Sequence, residues 1–311
     1  MENMTRGYIR LKLTLSYDGR AYSGWQKDGR SSLFIQSIIE MVLSEVFKEN
    51  IAIRASGRTD AKVHAAGQCV DFKVHKDKVM LAVSEYVKAD VKSIEEKFEK
   101  TDDGWLYSIL RAAINDRLPD DILVTAAEAV SMEFHSRFSA VKKTYMYRID
   151  TREKQNVFSN GYAYPAGKMP DIEKMRRAAA YLVGTHDFSA FSNVRPSDKR
   201  AEKNTGKCAS EKVSDSGKDS FKRVKKADNI RTIYEIDIKE SECRGSKEVR
   251  IYITGDGFLY NMVRIIAGTL LEAGLSKREP ESIKKALSSG CRTDAGEKLW
   301  PDGLYLMKVY Y

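Results

Sequence analysis

Residues 8 to 17 alternate strictly, with Ile9, Leu11, Leu13, Leu15 and Tyr17 on one face and Arg10, Lys12, Thr14 and Ser16 on the other. A period of two predicts a strand with one buried face. Asp18-Gly19 then supplies a turn. Ile35, Ile38, Ile39, Val42, Leu43, Val46 and Phe47 follow helical spacing, and Ser31 or Ser32 is the expected N-cap. Ile51 to Arg54 and Gln68 to Val74 read as strands, Trp105 to Ala113 as helix, and Ile122 to Thr125 as a short strand. The charged stretch from Asp77 to Gly104 reads as an inserted helix. Without it, the order is β-α-β-β-α-β.

The second half repeats that order without a close residue-level repeat. Lys143 to Ile149 alternates as a strand, with Tyr145, Tyr147 and Ile149 aligned. Pro170 opens a helix bearing Ile172, Met175, Ala179 and Leu182 on one face, which Gly184 closes. Arg231 to Ile238 and Val249 to Thr254 read as strands, and Met262, Ile265, Ile266, Thr269, Leu270 and Ala273 form a helical stripe. A shorter helix begins near Pro280, and Leu304 to Tyr310 is a last strand. Such units build antiparallel sheets with helices on one face. The expected fold class is therefore α/β (α+β): two βαββαβ units, 1–130 and 131–311, in a continuous antiparallel sheet with flanking helices and a central cleft.

Composition narrows the function classes. The chain has 311 residues, 42% hydrophobic and 31% charged, enough for a sizeable core. No apolar run approaches the roughly 20 residues of a membrane helix, and Met1 to Ser16 has no signal-peptide core. The expectation is a cytoplasmic protein, with Cys69, Cys208, Cys243 and Cys291 as reduced thiols. These cysteines and the four histidines are scattered, so no spacing suggests a metal centre. The formal charge is +9. Residues 194 to 229 carry eleven Lys/Arg against six Asp/Glu and read as a flexible basic insertion, either a solvated loop or an RNA-contacting arm.

The candidate chemistry lies in Ala55-Ser56-Gly57-Arg58-Thr59-Asp60-Ala61-Lys62-Val63-His64-Ala65-Ala66-Gly67-Gln68, a polar loop held between strands. Asp60 alone fits either a turn residue or a catalytic carboxylate. Residues Gly57 to Gln68, however, resemble the signature loop of the TruA-type tRNA pseudouridine synthases. The resemblance continues through Tyr17-Asp18-Gly19 with Gly24-Trp25-Gln26, then Gln36, then Asn115, Leu118, Pro119 and Asp121-Ile122. It takes in Phe134-His135-Ser136-Arg137-Phe138-Ser139-Ala140 with Lys143-Thr144-Tyr145, and Gly184-Thr185-His186-Asp187-Phe188. Phe258 to Arg264 and Gly303-Leu304-Tyr305-Leu306 complete it. Lys62 departs from the family's usual glycine, either stiffening the loop or adding a phosphate contact, and Tyr260-Asn261 stands where histidine is often seen.

The resemblance implies a pseudouridine synthase-like fold with an RNA cleft, and isomerisation of uridine to pseudouridine on the 3′ side of the tRNA anticodon stem-loop (tRNA positions 38–40). It implies Asp60 as the catalytic carboxylate, Tyr145 stacking on the target base, Arg264 pairing with Asp60, a homodimer, and no metal or organic cofactor. Breaking a glycosidic bond and reattaching the base through carbon suits a carboxylate acting as nucleophile, base or both. Arg58, with its planar donor fork, suits either the space of an extruded nucleotide or a phosphate. His64 and His135 suit either loop caps or RNA contacts, and the structural reading is the favoured one. Arg292-Thr293-Asp294-Ala295 repeats the loop's tetrapeptide without its downstream residues, so Asp294 reads as an ordinary loop residue. Two rivals remain: a non-catalytic RNA-binding module, and a metal-dependent nuclease or phosphotransferase, which needs clustered carboxylates.

Overall fold

The computed structural model describes residues 7–26, 33–100, 103–154, 156–193, 229–243 and 246–311. The chain is mixed α/β and divides into two compact units, residues 1–144 with 301–311, and residues 145–300. The expected division at 130 keeps the last strand with the second half; here residues 301–311 group with the first unit. Ser31, Ser32 and the basic stretch up to residue 228 lie outside the described residues.

In the first unit the strands are β1 (Tyr8–Tyr17), β2 (Arg54–Ala55), β3 (His64–His75), β4 (Ile122–Val130) and the last strand of the chain, β10 (Leu304–Tyr310). The order is β4-β1-β3-β10, with β2 also on β3. Strand β1 is antiparallel to both neighbours, pairing Leu13 with Val70 and Leu11 with Phe72. The alternation seen in the sequence is the burial pattern: Leu11, Leu13 and Leu15 have no exposure at all. Helix α1 (Ile35–Phe47) buries Ile35, Ile39, Val42, Leu43 and Val46. Its N-cap is Phe34, which gives no side-chain hydrogen bond.

Four expectations need correction here. Strand β10 runs parallel to β3, pairing Tyr305 with His64, so the sheet is mixed rather than antiparallel. Parallel pairing needs only a long crossover, which the whole second unit supplies. The segment Ile51 to Ile53 is not a strand, although Ile51 and Ile53 are buried. Its backbone donors go instead to α1: Ile51 N to Ser44 Oγ at 3.0 Å and Ile53 N to Glu40 Oε1 at 3.1 Å. The charged insertion is two helices, α2 (Lys76–Val87) and α3 (Val91–Lys100), followed by α4 (Asp103–Asn115). Lys88 in the left-handed region ends α2, and Asp90 then accepts from Ser93 N at 2.9 Å. Strand β4 runs to Val130, beyond the expected Thr125.

Strand β5 (Lys142–Asp150) leads from the first unit into the second. The second unit also holds β6 (Tyr164–Pro165), β7 (Gly184–Asp187), β8 (Ile230–Cys243) and β9 (Ser246–Gly255). Their order is β5-β9-β8-β7, and β6 lies parallel to β5, again departing from an all-antiparallel sheet. Helix α5 (Ile172–Ala180) is capped by Asp171, which accepts from Lys174 N at 3.0 Å. It ends before Leu182, and Gly184 opens β7 rather than closing the helix. Helix α6 (Met262–Gly274) is buried almost all round, as a helix central to its unit must be. Helix α7 (Ser282–Ser289) follows Pro280.

Cys69 is a buried free thiol. No described helix is long and apolar enough to cross a membrane.

Candidate active site

The loop from Ser56 to Val63 connects β2 to β3, and its backbone is held at almost every step. Ser56 N donates to Cys69 O at 2.8 Å, continuing the ladder past β2. The Gln68 amide then clasps the loop base: Nε2 donates to Gly57 O at 2.8 Å, and Oε1 accepts from Ser56 Oγ at 2.6 Å. From β5, Lys143 Nζ donates to Ser56 O at 2.7 Å. Trp25 N donates to Thr59 O at 3.0 Å, and the Thr59 hydroxyl meets the Tyr17 hydroxyl at 2.8 Å. Val63 N closes back on Asp60 O at 3.2 Å. Asp60 is thus half-buried on a fixed backbone between a buried Thr59 and an exposed Ala61, with Arg58 exposed.

Two glycines of the matched motifs have steric reasons to be glycine. Gly24 has φ +110°, and a Cβ there would lie 3.1 Å from both Thr59 O and Ala61 N. A Cβ on Gly67 would overlap the Met307 carbonyl oxygen of β10. Lys62, at the position where the resemblance expects glycine, has φ +66°. The left-handed backbone explains the family's glycine directly.

His64 is buried and stacked on Tyr305, with ring centroids 4.5 Å apart. Its Nδ1 accepts from Gly19 N at 3.2 Å, a structural contact as expected. His135 packs its ring on Phe138 at 4.4 Å and accepts from Arg137 N at 3.1 Å.

Tyr145 and Arg264 belong to the second unit, whereas Arg58 and Asp60 belong to the first. Tyr145 is half-buried and meets Phe258 edge-on at 5.1 Å. Arg264 is buried near the start of α6; its Nε donates to Leu299 O at 2.8 Å and Nη1 to Asn261 Oδ1 at 2.9 Å. One segment, Phe258 to Arg264, therefore fixes both the tyrosine ring and the guanidinium.

Asp294, the repeated tetrapeptide's carboxylate, sits in a single 3-10 turn in the second unit. Lys285 Nζ lies 2.8 Å from Oδ1, and Ser289 Oγ donates to Oδ2 at 2.7 Å. These two partners hold its carboxyl below the usual aspartate range.

The sequence reading missed a buried network around Asp71. Asp71 Oδ2 accepts from Arg10 Nη1 at 2.5 Å and from Arg54, while Oδ1 accepts from Ser136 N at 2.8 Å and Ser136 Oγ at 2.6 Å. Arg10 Nε also donates to Met132 O and Arg54 Nη2 to Phe134 O, both at 3.0 Å. The matched segment Phe134 to Ala140 is thereby strapped to β2 and β3, and Met132 just before it to β1. Arg10 standing on the polar face of a strand was the available signal; its partner could come only from the β1–β3 register. Among the described residues no three His, Cys, Asp or Glu side chains cluster so as to hold a metal ion.

Comparison with known proteins agrees with this arrangement of motifs. The family described as tRNA pseudouridine synthase matches residues 14–139 and 217–311. The chain is 37% identical over 306 residues to tRNA pseudouridine synthase A of Bacillus subtilis (strain 168), covering 97% of this chain and 99% of that protein. It is 38% identical over 301 residues to tRNA pseudouridine synthase A of Clostridium acetobutylicum, with the same coverage of both. It is 36% identical over 301 residues to tRNA pseudouridine synthase A 2 of Clostridium perfringens, again covering 97% and 99%. With most of its length matched by the family and by relatives of equal extent, the chain belongs to the tRNA pseudouridine synthases.

Proposed function

We propose that this protein isomerises uridine to pseudouridine on the 3′ side of the tRNA anticodon stem-loop, with Asp60 as the catalytic carboxylate. The observation that carries the reading is the backbone of the Asp60 loop, hydrogen-bonded at Ser56, Gly57, Thr59 and Asp60 and so preorganised. A fixed carboxylate can serve as nucleophile or base while the glycosidic bond breaks, the uracil turns and a carbon–carbon bond forms. The isomerisation is redox-neutral and needs no energy input.

Tyr145 stacks on the target base in this reading, its ring already oriented by Phe258. Arg264 orients Asp60; its bonds to Leu299 and Asn261 keep the guanidinium in one posture. Arg58 takes the space of the extruded nucleotide or grips its phosphate. The enzyme works in the cytoplasm as a homodimer without metal or organic cofactor.

Pseudouridine is mapped on tRNA before and after incubation with the pure protein, with and without chelator. The expected result is new pseudouridine in the anticodon stem, indifferent to chelator. Asp60→Asn should abolish conversion by several orders of magnitude while tRNA binding survives. An unmodified tRNA, or full conversion by Asp60→Asn, overturns the reading; binding without conversion would leave an RNA-binding module.

A further inference from the structure

Lys143 stands two positions before Tyr145 in β5, yet its side chain serves the other part of the chemistry. Its ammonium donates to the Ser56 carbonyl at 2.7 Å, at the base of the loop that carries Asp60. Gly57, the next residue, lies beside it: a Cβ there would meet Nζ at 3.4 Å, an ordinary contact distance. Ser56 and Gly57 are simultaneously held by Gln68 from β3. The loop base is therefore clamped from two strands, by a neutral amide on one side and a charged donor on the other.

We propose that Lys143 is a positioning residue for the pseudouridylation reaction, fixing the base of the Asp60 loop through the Ser56 carbonyl. The inference rests on Asp60 being the catalytic carboxylate. A surface lysine keeps its ammonium in water, because ordering a long side chain and desolvating its charge are both unfavourable. Here burial, and secondarily the Arg137 charge, pushes the lysine's pKa down, so the fold works against holding a cation at this point. The contact with Ser56 O is what offsets that cost, since charge-assisted hydrogen bonds are roughly twice as strong as neutral ones. A carbonyl held this way cannot turn without breaking the bond to a half-buried ammonium, so the peptide between Ser56 and Gly57 is restrained. Arg58 and Asp60 follow within four residues. Small displacements of a reacting group reduce rate rather than affinity.

The test compares full-length Lys143→Met, Lys143→Arg and Asp60→Asn with wild type in single-turnover conversion of a tRNA transcript and in tRNA affinity. Lys143→Met should lower the rate at saturating tRNA by about 10²-fold with Kd unchanged, and speed amide hydrogen exchange at Gly57 to Val63. Lys143→Arg, which keeps a charged donor, should recover most of the rate. If Lys143→Met does not fold, Lys143→Gln, which replaces the charged donor by a shorter neutral one, should show a smaller loss of rate, again with Kd unchanged. A wild-type rate in Lys143→Met while Asp60→Asn is inactive overturns the positioning role alone. A lowered melting temperature without loss of rate, or a loss removed by raising tRNA concentration, also overturns it, assigning Lys143 to stability or to RNA binding. An active Asp60→Asn instead overturns the site reading, and the proposal with it.

Discussion

The hydroxyls of Tyr17 and Thr59 meet at 2.8 Å, joining the last residue of β1 to the residue beside Asp60. Both side chains are buried, so removing one partner leaves the other short of a hydrogen bond that water cannot replace. Tyr17→Phe should cost about 1–3 kcal/mol of stability and slow single-turnover conversion. Thr59→Ser, which keeps the hydroxyl, should stay near wild type. Thermal melting and rates at saturating tRNA check both; an unchanged Tyr17→Phe protein would mean the loop is held without this bond.

Asp294 separates a shared tetrapeptide from a shared function. Its carboxylate is tied to Lys285 and Ser289, and both partners favour the charged form. A depressed carboxylate stabilises the fold above the ordinary aspartate range and loses that contribution as pH falls through its own lower value. Asp294→Asn should therefore lower stability slightly at neutral pH, by a difference that vanishes as pH falls through the folded value, and leave pseudouridine formation untouched. Asp60→Asn should instead abolish pseudouridine formation. Equal losses of activity in the two variants would contradict the assignment of the site.

What the sequence made legible was whatever burial enforces locally. The alternation in β1 and the stripe of α1 survive because each residue type must face core or water whatever the partner. The parallel partner of β3 was hidden, because nothing local in Leu304 to Tyr310 names the strand it joins. Asp71 was hidden for the same reason: its meaning comes from Arg10, Arg54 and Ser136, which arrive from distant segments. Ile51 and Ile53 misled because a buried apolar alternation can be satisfied by helix side chains instead of a ladder. At the candidate site, Arg-Thr-Asp-Ala occurs twice. Only the ordered motifs around the first copy distinguish it.

Lys62 is a lysine in a left-handed conformation, with φ +66°. That backbone costs a non-glycine residue about 1 kcal/mol, partly offset by glycine's greater unfolded-state entropy, so Lys62→Gly should change stability little. Lys62→Val, with a branched Cβ, should destabilise more than either glycine or asparagine. If the exposed ammonium meets tRNA phosphate, Lys62→Asn should weaken binding and flatten the salt dependence of log K by about one counterion. Fluorescence titrations over a salt series decide this; an unchanged slope would leave Lys62 with a purely conformational role.

Alkaline pH should unfold this protein through its buried acids that are neutral at pH 7. Burial raises the Cys69 thiol above its ordinary value of 9.0, outweighing its bonds from Thr14 and Tyr311. Burial likewise raises Tyr22, reinforced by Asp121, and Tyr311, reinforced by Cys69. A raised folded value means the native state keeps a proton that the unfolded chain gives up. The thiol's contribution is therefore complete below pH 9.0 and is lost as pH rises from there through the folded value. Between those limits, one fully differential group changes stability by about 1.4 kcal/mol per pH unit. Cys69→Ser removes the titrating group while keeping a small polar side chain in the same space. Urea midpoints measured at intervals above pH 8 should fall less steeply for Cys69→Ser than for wild type. Parallel curves would show that Cys69 ionises equally in both states, and that the alkaline limit is set by the tyrosines.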